Sequence, residues 1–134
     1  MNNIKTTIYN KAVSSSTFAT AIGGRFYDTI VPQDVTKPYA VLHMPNHLMN
    51  DFTFGADWVF DDVYFQINIY SDSNSASESG TILNACRLLF DWVTLSITGY
   101  TWFLTKWNFT VPPDWFPEDR QWQTVVEYQL LLQE

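Results

Sequence analysis

A chain of 134 residues, 46% of them apolar, is long enough to bury a core of its own, and its 17% aromatic content is heavy for a domain that works alone. Seven Lys and Arg stand against 14 Asp and Glu, a formal charge of −7, and the bases are scattered, which argues against tight binding to nucleic-acid phosphates. A single cysteine, Cys86, excludes an internal disulfide; no apolar run approaches the roughly 20 residues that cross a bilayer, and "MNNIKTTIYNKAVSSS" lacks the apolar core of a signal peptide.

From the N-terminus, Ile4, Ile8 and Ala12 or Val13 recur at helical spacing, and Phe18 and Ile22 extend the pattern. The run "SSST" at 14–17 competes for backbone hydrogen bonds, so the spacing predicts one helix that breaks or restarts there. Gly23 and Gly24 end it, because glycine takes the left-handed cap conformation readily. Residues 25–31 then read as a strand stopped by Pro32. Residues 39–44 read as a second strand, opened by Pro38 and closed by Pro45. Two strands this near in sequence are expected to form a hairpin.

Residues 46–58, "NHLMNDFTFGADW", are too polar for core and too aromatic for a plain loop; they read as the tip of a long hairpin arm projecting from the sheet. Val63, Phe65, Ile67 and Ile69 then alternate with Tyr64, Gln66, Asn68 and Tyr70, a strand that begins near Asp57. Ser75 and Glu78 match a capping box, and Ile82, Leu83, Cys86, Leu89, Phe90 and Val93 form the apolar stripe of a helix over 75–94. Residues 102–111 read as a strand with Phe103, Trp107, Phe109 and Val111 on one face and Lys106 and Asn108 on the other. The segment "PPDWFPED", 112–119, reads as a stiff loop carrying Trp115 and Phe116. In the last strand, 120–133, Trp122, Thr124, Val126, Tyr128, Leu130 and Leu132 share a face. The order α-β-β-β-α-β-β implies an α+β fold: a mainly antiparallel sheet of about five strands with two helices packed on one face, in a single domain over 1–134.

Chemistry is sparse. His43 and His47 are the only histidines; one reads as a strand residue and the other as a loop residue after Pro45, a poor metal pair. Asp57, Asp61 and Asp62 cluster, but Trp58, Val59 and Phe60 occupy the positions where a calcium loop needs oxygen ligands. Cys86 falls on a helix's apolar stripe, where a thiol is inert. There is no G-x-S-x-G and no phosphate loop. No cofactor, no metal and no catalytic residue is expected. The aromatics outside the regular elements are more informative. Phe52, Phe54, Trp58 and Phe60 on the arm, and Trp115 and Phe116 on the proline loop, are the expected subunit or partner contacts.

The run "GGRFYDTIVPQDVTKPYAVLHM" resembles the hallmark segment of the phage tail-terminator, or tail-completion, family: a glycine turn at Gly24, an Arg25-Phe26-Tyr27 strand, Pro32, a short loop, and a Pro38-Tyr39 strand. The strand at 63–73, the amphipathic helix and the final strand fit the same pattern, while the arm at 50–62 and the loop at 112–119 depart from it. The resemblance implies a ring of six copies that ends the tail tube and meets the head connector or head-closure protein, in the neck of a virion assembled in the host cytoplasm. It implies no catalysis and no membrane. Six copies would sum to 6 × −7 = −42 formal charges, so DNA would pass through the lumen without specific binding. A sheet edge, the last strand, is a candidate for pairing across subunits or onto the tube. The alternatives are another neck adaptor such as a head-closure protein, and a small α+β ligand-binding module whose pocket is lined by tryptophans.

Overall fold

The computed structural model describes residues 2–50 and 60–133. The chain runs α1 (Asn2–Ser14), α2 (Ser16–Ala21), β1 (Phe26–Asp28), β2 (Tyr39–Asn50), β3 (Phe60–Ser71), α3 (Ser77–Phe90), β4 (Thr101–Phe116) and β5 (Gln121–Gln133). The strands form one mixed sheet in the order β1-β2-β3-β5-β4, and the helices bury their apolar residues on one side of it. The α+β class holds.

The break in the first helix has a local cause. Ser15 leaves helical geometry and its hydroxyl accepts from the Phe18 N–H at 3.2 Å, which caps α2 and aims Phe18 into the core. The described residues therefore form three helices where two were expected. Beyond α2, Gly23 (φ 63°) and Gly24 (φ 75°) both take the left-handed region, and the Gly24 N–H closes the end on the Ala19 carbonyl at 2.7 Å.

The expected hairpin between the first two strands does not form. β1 is shorter than 25–31 and pairs with β2 in parallel, Phe26 opposite Ala40 and Asp28 opposite Leu42. The connection over 29–38 is longer than a tight hairpin loop, and so short a strand needs only a short return path. Thr29 (φ 64°) and Asp34 (φ 56°) bend the chain back.

β2 does not stop at Pro45. It continues to Asn50, and the ladder with β3 shifts between His43 and Asn46. Such a bulge tolerates a residue with no N–H to give. His47, expected in a loop, therefore has its backbone in β2 opposite Val63. Nor do β2 and β3 leave the sheet as an arm over the described residues: β3 stays paired with β5 out to Phe60 opposite Gln133.

The period of two in β3 is realised in full, with Val63, Phe65, Ile67 and Ile69 buried. β5, the neighbour of β3, buries Val126, Tyr128, Leu130 and Leu132 on the same side. Ile82, Cys86 and Phe90 of α3 close over them. At the centre the rings of Phe65, Phe90 and Tyr128 pack with centroids 5.3 to 5.8 Å apart.

α3 is shorter than 75–94 and lacks the capping box. Its N-cap is Ala76, with no side-chain cap. Glu78 is drawn away by the buried Ser71, whose hydroxyl donates to its carboxylate at 2.5 Å, while the Ser75 hydroxyl accepts only from the Ser77 N–H.

Candidate subunit contact surface

β4 departs most from its reading. Its ladder with β5 slips between Trp102 and Leu104, between Trp107 and Phe109, and between Val111 and Asp114. Each slip changes which face the next residue occupies. Trp107 stands opposite Tyr128 and so lies on the helix-covered face, whereas Phe109 opposite Glu127 and Val111 opposite Val125 lie on the face without helices. Lys106, opposite Gln129, joins them there. The single apolar face expected for Phe103, Trp107, Phe109 and Val111 is thus split. All four remain exposed, and Thr105 is the one buried residue of β4.

Nor is 112–119 a loop. Pro112 and Pro113 fall at the third slip, where the ladder asks no N–H of them, and Asp114, Trp115 and Phe116 pair with Gln123, Trp122 and Gln121. The turn is confined to 117–120, with Arg120 at φ 52°. Trp115 meets Trp122 edge to face at 5.3 Å, and Phe116 points to the other side of the hairpin; both stay more than a third exposed. Trp115 and Trp122 line a cleft of about 780 Å³ together with Lys37, Asp72, Asp119 and Arg120 among others. Of the other expected contacts, Phe52, Phe54 and Trp58 lie outside the described residues. Phe60 opens β3, and its side chain also lies outside them.

Three exposed apolar residues had no place in the sequence reading. Leu88 and Ile30 are each 80% exposed and Trp92 is 67% exposed. Leu88 lies off the stripe of α3, which a helical wheel would have flagged. Trp92 holds φ 57°, a conformation that costs a bulky residue on the order of 1–3 kcal/mol. Its N–H donates to the Thr105 carbonyl at 3.0 Å and so ties the end of α3 to the outer edge of β4.

A polar chain links this edge to the core. The Arg87 guanidinium lies 5.1 Å from the Trp107 ring and donates to Asp91 at 3.0 Å. Asp91 in turn accepts from the Tyr128 hydroxyl at 2.6 Å. Burial, then the neighbouring Cys86 and Asp91, push the Tyr128 hydroxyl far up, so it stays a donor. Burial and Asp91 likewise push the Cys86 thiol up, away from any nucleophilic role.

Several polar side chains of the helix-free face pair with one another. Glu127, 8% exposed, accepts from Gln66 Nε2 at 2.9 Å and from Asn108 Nδ2 at 2.5 Å. Gln129 donates to Asp62 at 3.2 Å. Tyr27, Tyr39 and Tyr70 form a row: Tyr27 meets Tyr39 edge to face with centroids 6.1 Å apart, and Tyr39 stacks on Tyr70 at 5.0 Å. His43 sits half-buried in this face, opposite Gln66.

The last strand, a candidate sheet edge from its sequence, is interior. β5 lies between β3 and β4, and the edges are β1 and β4. Three slips, two prolines and the Trp92 contact blunt β4 against strand addition. What it offers a partner is side chains.

The profile of the family described as Tail completion protein gp17 matches residues 6–132. The chain belongs to that family. A structural role in a phage tail follows, in agreement with the resemblance read from the glycine turn and its flanking strands. Among solved structures, a chain titled "Virion of native gene transfer agent (GTA) particle" is similar in fold, with a TM-score of 0.82 at 10% identity over 98% of this chain and 95% of that one. No curated protein sequence matches it.

Proposed function

We propose that this tail-completion family member forms a ring of six copies that ends the tail tube and joins it to the head connector or head-closure protein, leaving a channel for DNA. The observation that carries the reading is β4: a long strand in a complete fold that keeps Phe103, Trp107, Phe109, Val111, Trp115 and Phe116 more than a third exposed. Such a surface is characteristic of a protein that finishes burying itself on a partner. Within the ring, Trp115 and Phe116 at the β4–β5 tip, together with Phe52, Phe54, Trp58 and Phe60, serve as partner contacts. The work is done by shape and association, with no bond made or broken. A ring summing to −42 charges repels the DNA backbone and lets it slide. The site of action is the neck of the virion, after assembly in the host cytoplasm.

Negative-stain class averages of the purified chain test this. The expected result is a six-fold ring with a central opening. A second reading, a ligand-binding module, has one observation in its favour, the cleft lined by Trp115 and Trp122. A compact single-chain particle would favour that module and overturn the ring.

A further inference from the structure

Three connections meet at one end of the sheet. Lys37 precedes β2, Asp72 and Ser73 follow β3, and Asp119 and Arg120 belong to the turn between β4 and β5. With Trp115 and Trp122 they line the cleft of about 780 Å³.

The walls of the cleft are set by the fold. The Trp122 indole N–H donates to the Ser73 carbonyl at 3.1 Å, which holds that ring against the connection leaving β3. Trp115 meets it at 62° with centroids 5.3 Å apart, so the two rings make a corner and not a flat platform. Trp115 is 38% exposed, and its own indole N–H has no acceptor among the described residues. Lys37, Asp72, Asp119 and Arg120 make no ion pair and no side-chain hydrogen bond among the described residues either, and their charges sum to 2 − 2 = 0. The cleft thus holds a shaped apolar corner, one unspent donor and a rim of unpaired charges of both signs.

We propose that this cleft binds an extended, proline-bearing peptide segment of a partner protein, with a proline ring seated in the Trp115–Trp122 corner. The proposal rests on the reading of Trp115 as a partner contact and names that partner's chemistry; it holds for a ring and for a single chain alike. The corner selects the ligand. A sugar ring lies flat on one aromatic face, and the second indole interrupts that face. A pyrrolidine ring is compact and touches both walls. A polyproline II segment makes no internal hydrogen bonds, so its carbonyls are open to the Trp115 N–H, and it is already extended, so it loses little entropy on binding. The rim charges give polar flanks of either sign a partner, while their zero sum favours neither a strongly basic nor a strongly acidic segment.

The test is fluorescence anisotropy with labelled peptides built on Pro-Pro-x-Pro, flanked by one Glu and one Lys in either order. The same peptides with every proline replaced by alanine, and a labelled gluco-oligosaccharide, run beside them. The expected result is saturable binding of a proline peptide below about 1 mM, weakened roughly tenfold or more in its alanine counterpart, with the oligosaccharide silent. Trp115→Ala is expected to weaken the proline peptide roughly tenfold or more, and Trp115→Phe, which keeps a ring and loses the N–H, by a smaller factor, both at the wild-type thermal midpoint. Equal binding of the proline and alanine peptides, binding of the oligosaccharide alone, no saturable binding of any probe, or Trp115 variants that bind as the wild type does would each overturn the proposal. Light scattering on the same samples keeps the ring reading separate. A single-chain mass with the proline peptide bound ends the ring and leaves the cleft; an assembled mass with no peptide bound does the reverse.

Discussion

β4 and β5 are the two arms of one hairpin, yet they answer to different demands. β5 is held on both sides by other strands, keeps an unbroken register with β3 from Thr124 to Leu132, and buries Val126, Tyr128, Leu130 and Leu132. β4 is held on one side, slips register three times, and buries Thr105 alone. An interior strand that slipped would throw its apolar set out of the core, so its register is fixed by burial. An edge strand faces no such penalty, and each slip turns the next side chains toward another surface. In β4 the slips place Trp107 beside Arg87 and Phe109 beside Glu127, so a single strand dresses both faces of the molecule's border.

The comparison can be broken by substitution. Tyr128→Ala in β5 removes a ring from the Phe65–Phe90 cluster and the donor to Asp91, and we expect a loss of about 3–5 kcal/mol in denaturant unfolding. A loss under about 1 kcal/mol would mean that β5 is not the spine of the core. Glu127→Leu, one position away but on the helix-free face, leaves the amides of Gln66 and Asn108 without their acceptor; the expected cost is about 1–3 kcal/mol, and a stabilised variant would show the network to be dispensable. Phe109→Ser in β4 should shift stability by no more than about 1 kcal/mol while abolishing assembly, the reverse of Tyr128→Ala in what it spares. The smallest effect belongs to the Lys5–Asp28 pair at 2.9 Å beside β1. Burial works against the Asp28 carboxylate, but the Lys5 ammonium and the Thr29 hydroxyl together outweigh it and hold its pKa below the ordinary 3.8. A lowered carboxyl pKa adds stability at neutral pH that is lost as pH falls through that lowered value. The pair is exposed, so Lys5→Ala should cost less than about 1 kcal/mol at pH 7 and nothing once Asp28 is protonated. A cost that persists at pH 2 would point to packing by the lysine stem instead.

What could be read in advance follows the same division. β3, β5 and the stripe of α3 were legible because each pairs a strong period with burial. The parallel pairing of β1 was not, because a short loop between two strands ordinarily means a hairpin, and nothing in "PQDVTK" marks a return path. Pro45, Pro112 and Pro113 read as strand ends; they sit instead where a slipped ladder asks for no donor. Trp115 and Phe116 stood out by composition, although their pairing across a hairpin did not. Ile30 and Leu88 were missed because single exposed aliphatics look ordinary, and Trp92 because it was placed inside a helix that stops at Phe90.

The most direct test is the solution mass of the wild-type chain beside its Phe109→Ser variant, by light scattering at equal concentration. A wild type near 6 × 15.6 kDa, about 94 kDa, and a folded variant at 15.6 kDa is the expected pair of results. A wild type at 15.6 kDa, or a variant that assembles as the wild type does, would contradict the claim that β4 exists to join copies of this chain.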